Sequence, residues 1–160
     1  MPGYTRNILL SIFLSCCCSF VDKAAPNVEY IVYGIYCGEC YGHCATMFKI
    51  DNTHLLIDTT DSYFKNQPQG EKVTFTGDSL NREQFLKAII LKSTIPKLLL
   101  DSKDRKFGNP DEYDQCGIFI QFKFADKLKT FHIDTNLEEV PAEIRNYAQS
   151  VMALSKFRLQ

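Results

Sequence analysis

The stretch Gly117-Ile-Phe-Ile-Gln-Phe-Lys-Phe-Ala-Asp-Lys-Leu-Lys-Thr-Phe-His-Ile-Asp134 decides the fold. From 117 to 124 the apolar residues Ile118, Ile120, Phe122 and Phe124 fall on one face, and Gln121 and Lys123 fall on the other. Alternation with period two is the mark of a strand buried on one side. The polar turn Ala125-Asp126-Lys127 follows, and Phe131 and Ile133 then share a face within Leu128 to Asp134. Two alternating runs joined by a short polar turn predict a β-hairpin.

Downstream the period changes. Ile144, Tyr147, Ala148, Val151 and Leu154 recur at helical spacing, which predicts a helix from about Pro141 to Ser155. Upstream, Val28 to Tyr36 is rich in β-branched and aromatic residues and reads as a strand. Ala45 to Ile50 and His54 to Thr60 predict another hairpin, turning at Asp51-Asn52-Thr53. Ser62 to Glu71 is polar and turn-rich, and Lys72 to Thr76 alternates as a strand would. Asn81 with Gln84 three residues on is a capping box, and Leu80 with Phe85 occupies the hydrophobic-staple positions. The helix they start runs to about Lys92, with Phe85, Leu86, Ile89 and Ile90 as its apolar stripe. Ser93 to Leu100 fits either a short Pro-initiated helix or a strand, and Asp101 to Gln115 reads as a charged loop. Hairpins interspersed with helices predict an α+β fold, an antiparallel sheet with two or three helices packed on one face.

Composition bounds the function. The chain has 160 residues, 45% of them apolar, with 18 basic against 19 acidic side chains. That length suits one domain. The balanced charge lacks the basic surplus a phosphate-coating nucleic-acid binder needs, so no nucleic-acid partner is expected. Its apolar content is that of a folded chain rather than a disordered one. No repeat with a period of 20–50 residues occurs.

Residues 1–19 (MPGYTRNILLSIFLSCCCS) start with a charged segment and continue into an apolar run from Ile8 to Leu14. Seven helical residues span about 10 Å, against about 30 Å for a bilayer core, so the run fits the h-region of an export signal. Phe13-Leu14-Ser15-Cys16 resembles the lipobox of bacterial lipoproteins, with Phe where Leu is usual three residues before the cysteine. The resemblance implies diacylation of Cys16 and a partner in the membrane reached through that lipid. Residues 1–19 read as the leader segment, 20–27 as a tether and 28–160 as a single domain outside the cytoplasm; with Cys16 as the anchor, Cys17 to Asn27 form the tether. A signal peptide cut after Ser19 or Ala25, releasing a periplasmic or secreted protein, and an unprocessed N-terminus are the alternatives.

Cys40-Tyr41-Gly42-His43-Cys44-Ala45-Thr46-Met47-Phe48 fits C-[FY]-G-x-C-x-x-x-[FY] at the start of a hairpin. It resembles a family of small exported bacterial domains of unknown function. They carry a C-F-G-x-C-P segment, a strand pair, a helix, a Pro/Asp loop, a second strand pair and a C-terminal helix. The order of elements from about Val28 to Leu154 is similar, while Ala45 replaces the usual Pro and Cys37 and Cys116 are additional. The family carries no assigned activity. The resemblance implies a Cys40–Cys44 disulfide, and the two additional cysteines are then expected to form Cys37–Cys116.

Two other chemistries are open to these cysteines. Cys37, Cys40 and Cys44 with Cys116 or His43 offer four soft ligands for zinc or for an iron–sulfur cluster, although the spacing matches neither standard pattern. Cys37-Gly38-Glu39-Cys40 follows a hydrophobic strand, as the thioredoxin C-x-x-C does, and Ile95-Pro96 resembles the segment that faces that motif. A helix would then begin at Cys40, where Gly42 interrupts.

Other polar residues carry less. His132 is expected at the surface on the polar face of its strand, His54 at a turn and His43 in a loop. Asp111, Glu112 and Asp114 are acidic but lack the spacing of a calcium loop. Asp58 and Asp61 offer a carboxylate pair, although each is expected instead to cap the end of a strand, and Tyr30, Tyr33 and Tyr36 offer aromatic surface or core. No G-x-S-x-G elbow and no Gly-rich phosphate cradle occurs. The expectation is a cofactor-free, non-enzymatic binding or structural module of the cell envelope, with an unidentified protein or envelope partner. Thiol–disulfide exchange through Cys37 and Cys40 is the first alternative and a zinc module the second.

Overall fold

The computed structural model describes residues 27–65, 73–75, 77, 79–103, 105–112 and 116–156. The leader, Cys16 and Asp114 lie outside them. Six strands form one sheet: β1 (Tyr30–Cys37), β2 (Ala45–Ile50), β3 (Leu55–Ile57), β4 (Lys106–Phe107), β5 (Cys116–Lys123) and β6 (Leu128–Asp134). Their order across the sheet is β3-β2-β1-β5-β6-β4, and every pairing is antiparallel except β4 with β6. The helices are α1 (Ser62–Lys65), α2 (Arg82–Ala88), α3 (Ile90–Ser93), α4 (Lys97–Asp101) and α5 (Ala142–Leu154), with a 3-10 turn at Leu137–Glu139. The protein is therefore α+β, with an antiparallel sheet built from hairpins.

The register explains how the apolar residues are shared. Ile31, Tyr33, Phe48, Ile50, Ile118, Ile120 and Phe122 lie on one face and bury against Phe85, Leu91, Leu99, Ile144, Tyr147 and Val151 of the helices. The opposite face carries a smaller cluster, Val32, Tyr36, Met47, Tyr63 and Phe119, with Val73 and Phe75 packed against it. A central strand covered on both sides is apolar at nearly every position, and β5 is buried from Gly117 to Phe122.

The capping box forms as the sequence predicts: the Asn81 side chain accepts from the Gln84 amide at 3.0 Å, and the Asn81 amide donates to Gln84 Oε1 at 3.3 Å. Leu80 and Phe85 are both buried. Four expectations need correction. Leu86 and Ile90 point to solvent, because the helix is broken at Ile89 and its inward face runs through Phe85, Ala88 and Leu91. Residues 73–75 are not a strand; the Thr74 amide donates to Ser62 Oγ at 2.7 Å, where a strand would find a ladder partner. The polar segment after Asp61 opens with α1, whose Tyr63 covers the second face. The charged loop from 101 contains β4, too short at two residues for alternation to reveal. Within Ser93 to Leu100 the choice resolves as helix: Ser93 closes α3, and α4 begins at Lys97 after Pro96.

Candidate functional site

Strand β1 ends where the cysteines gather. Cys37, its last residue, pairs in register with Cys116, the first of β5. Their Cα atoms are 4.1 Å apart, and the sulfurs stand at disulfide distance. Cys40 and Cys44 are likewise paired, with Cα atoms 5.6 Å apart. Both pairs fit an oxidising, extracytoplasmic compartment. Cys37 and Cys40, the pair a thioredoxin-like site would use, belong to different bridges, and no helix begins at Cys40. The four sulfurs considered as zinc ligands are taken up by the same two bridges. No group of three or more metal-ligating side chains occurs among the described residues.

The segment from Gly38 to His43 projects from the end of the sheet and is exposed throughout. Its base is held three ways. The Cys37 amide donates to the Cys44 carbonyl at 2.8 Å, the Gly38 amide donates to Asp111 Oδ1 at 2.6 Å, and the Cys40–Cys44 bridge closes the loop above them. Gly42 has φ of +94°, a left-handed conformation that a side chain strains. At the tip Tyr41 is fully exposed, at 106% of its reference area. The sequence signal for this presentation is one bulky aromatic inside a Cys-x3-Cys loop.

Behind the loop lies an aromatic box. The Tyr36 ring lies over Gly117, where any side chain would overlap it, and its hydroxyl shares a 3.0 Å hydrogen bond with His132 Nδ1. Tyr63 packs on Tyr36 at 5.1 Å between centroids, and Phe119 meets His132 edge-on at 5.5 Å. His132 is therefore half-buried rather than at the surface: it lies on the face away from the long helices, but that face is covered too. Burial raises the Tyr36 phenol well above its ordinary range, and the carboxylates of Asp111 and Asp134 push it further. Asp134 accepts from the amides of Asn109 and Asn136, both at 2.7 Å, and so ties two loops to the end of β6.

The remaining candidates are dispersed. Asp58 caps the end of β3, accepting from the amides of Thr60 and Ser62, and Asp61 beside it is left-handed at φ 53°. Tyr33 is in the helix-side core, Tyr36 in the aromatic box, and Tyr30 is half-buried at the start of β1. His54 sits in the β2–β3 turn beside Asp51. A groove of about 700 Å³ runs behind the Cys37–Cys116 pair, lined by Ile35, Cys116, Thr135, Asn136, Met152 and Ser155. No protein-family model, curated protein or solved structure matches this chain. No described helix is long and apolar enough to cross a membrane.

Proposed function

We propose that the protein is an exported, lipid-anchored, non-enzymatic binding module of the bacterial cell envelope, of the kind its C-[FY]-G-x-C segment resembles. The observation that carries this reading is the polarity of β1. The described chain enters the sheet at one end of this strand, where the Glu29 amide donates to the Lys123 carbonyl. It leaves at the other end through Cys37 into the pinned loop that bears Tyr41. Eight strand residues separate the two ends by about 25 Å. The disulfide-closed loop thus stands at the end of β1 opposite the one at which the described chain enters it. The two bridges support an oxidising location, and a rigid exposed loop supports binding.

Labelling of growing cells with radioactive palmitate, followed by membrane fractionation, tests the anchor. Label and membrane retention that both vanish in Cys16→Ala are expected. An unlabelled chain that fractionates identically with and without Cys16 overturns the lipid assignment. Thiol–disulfide exchange is a second reading, favoured by one observation: Cys40 is exposed and its bridge adjoins that of Cys37. Insulin reduction by dithiothreitol separates the two. Turnover that Cys37→Ser abolishes would establish the oxidoreductase and sink the binding module.

A further inference from the structure

We infer that Tyr41 is the anchor of a protein-binding surface whose partner carries a cation-rimmed cleft for an aromatic side chain. The inference deepens the binding-module reading and rests on it. Tyrosine is favoured as an interface anchor because it buries a large amphipathic ring while freezing only two side-chain torsions. Here the backbone entropy is also spent in advance, since the loop is closed by Cys40–Cys44 and pinned by the Gly38–Asp111 and Cys37–Cys44 hydrogen bonds. A fully exposed ring on so constrained a loop gains nothing from intramolecular packing.

Charge identifies the partner. Asp111 supports the base of the loop, and Glu112 follows it; both are exposed carboxylates. No Lys or Arg occurs from Gly38 to Cys44, and exposed Lys156 lines the groove beside Cys116 behind the loop. The negative field reaches inward, where Asp111 adds to the upward shift of the Tyr36 and Tyr63 phenols. An anionic lipid surface is repelled by such an end. A protein cleft rimmed by Lys or Arg is complementary to it.

The test uses the full chain in the cell that makes it, with a benzophenone amino acid placed in turn at position 41, at Phe75 on the opposite sheet face, and at exposed Leu86 on α2. A discrete protein adduct at 41, absent at 75 and 86, is expected. Asp111→Asn combined with Glu112→Lys should lower its yield at least threefold, since Asn keeps an acceptor for the Gly38 amide while removing the charge. Circular dichroism and the absence of free thiols in the double variant check that the fold and the bridges are intact. An adduct yield unchanged by the double variant overturns the inference. So does an adduct consisting of a second copy of the chain, of peptidoglycan or of lipid. Protein adducts at 75 or 86 but not at 41 overturn it while leaving the binding module standing. No adduct at any position removes both, and the lipid anchor is read independently by palmitate labelling.

Discussion

The Tyr36 hydroxyl and His132 Nδ1 are 3.0 Å apart across the central strand β5, a contact that exists because residue 117 between them is glycine. Tyr36 faces Gly117 in the ladder, and Gly117 in turn faces Asp134. A side chain at 117 would occupy the path of the Tyr36 ring. The box behind the exposed loop is thus set by one small residue on the middle strand.

Gly117→Ala forces the Tyr36 ring out of its site. Overpacking of this kind costs about 1–3 kcal/mol. Tyr36→Phe, which removes only the hydrogen bond to His132, is expected to cost about 1 kcal/mol. Urea unfolding followed by circular dichroism measures both. A Gly117→Ala variant as stable as the parent would show that the ring does not lie over residue 117.

The two bridges differ in the loops they close. Cys37–Cys116 spans 79 residues and Cys40–Cys44 spans 4. Loop entropy assigns about 4.5 kcal/mol to the first and about 2 kcal/mol to the second. The double variant Cys37→Ala/Cys116→Ala should therefore unfold at clearly lower urea than Cys40→Ala/Cys44→Ala. The reverse order would mean that the small loop supports the sheet rather than standing on it.

Burial raises the phenols of Tyr33, Tyr36, Tyr63 and Tyr147, with a smaller contribution from neighbouring carboxylates at Tyr36. An unfolded tyrosine ionises near pH 10. A pKa raised on folding contributes stability that is complete below the unfolded value and is lost as pH rises through the folded one. In an alkaline titration the phenolate absorption of these residues should appear in one cooperative step, together with loss of circular dichroism, at a pH above 10. Gradual ionisation of all the tyrosines with the dichroism retained would contradict their burial.

Asn81 begins α2 by accepting from the Gln84 amide. Asn81→Ala should cost about 1 kcal/mol and Asn81→Asp much less, because Asp keeps the acceptor. Thermal unfolding of the two variants reads the difference. Equal losses would mean that the cap contributes through something other than its side-chain oxygen.

Local chemistry made much of this fold legible in the sequence. The alternation from Ile118 to Ile133, the helical spacing from Ile144 to Val151 and the Asn81–Gln84 box each describe contacts within a few residues, where periodicity and capping act directly. Three segments escaped the same logic. Leu86 fits an apolar stripe on paper but faces water once the helix breaks at Ile89. Val73 and Phe75 alternate like a strand, but Ser62 holds their backbone. The two residues of β4 are too few to carry a pattern.

The candidate site was less legible, because its parts come from distant segments. His132 reads as a surface residue from parity alone. Whether its face is wet depends on Tyr63 of α1 and Phe119 of β5 covering it, which no local window contains. Alternation reports which side chains share a face; it does not say whether a second layer covers that face.

The sequence by itself determined the 117–134 hairpin, the C-terminal helix, the helix start at Asn81 and the α+β class, all of which follow from the spacing of neighbouring side chains. Tertiary structure decided the rest. The register of β1 on β5 sets Cys37 opposite Cys116, packs Tyr36 over Gly117 against His132, and leaves Tyr41 standing clear at the end of the sheet. Those are relations between residues up to 96 positions apart, fixed by the burial of two sheet faces at once rather than by the preference of any residue for its own backbone.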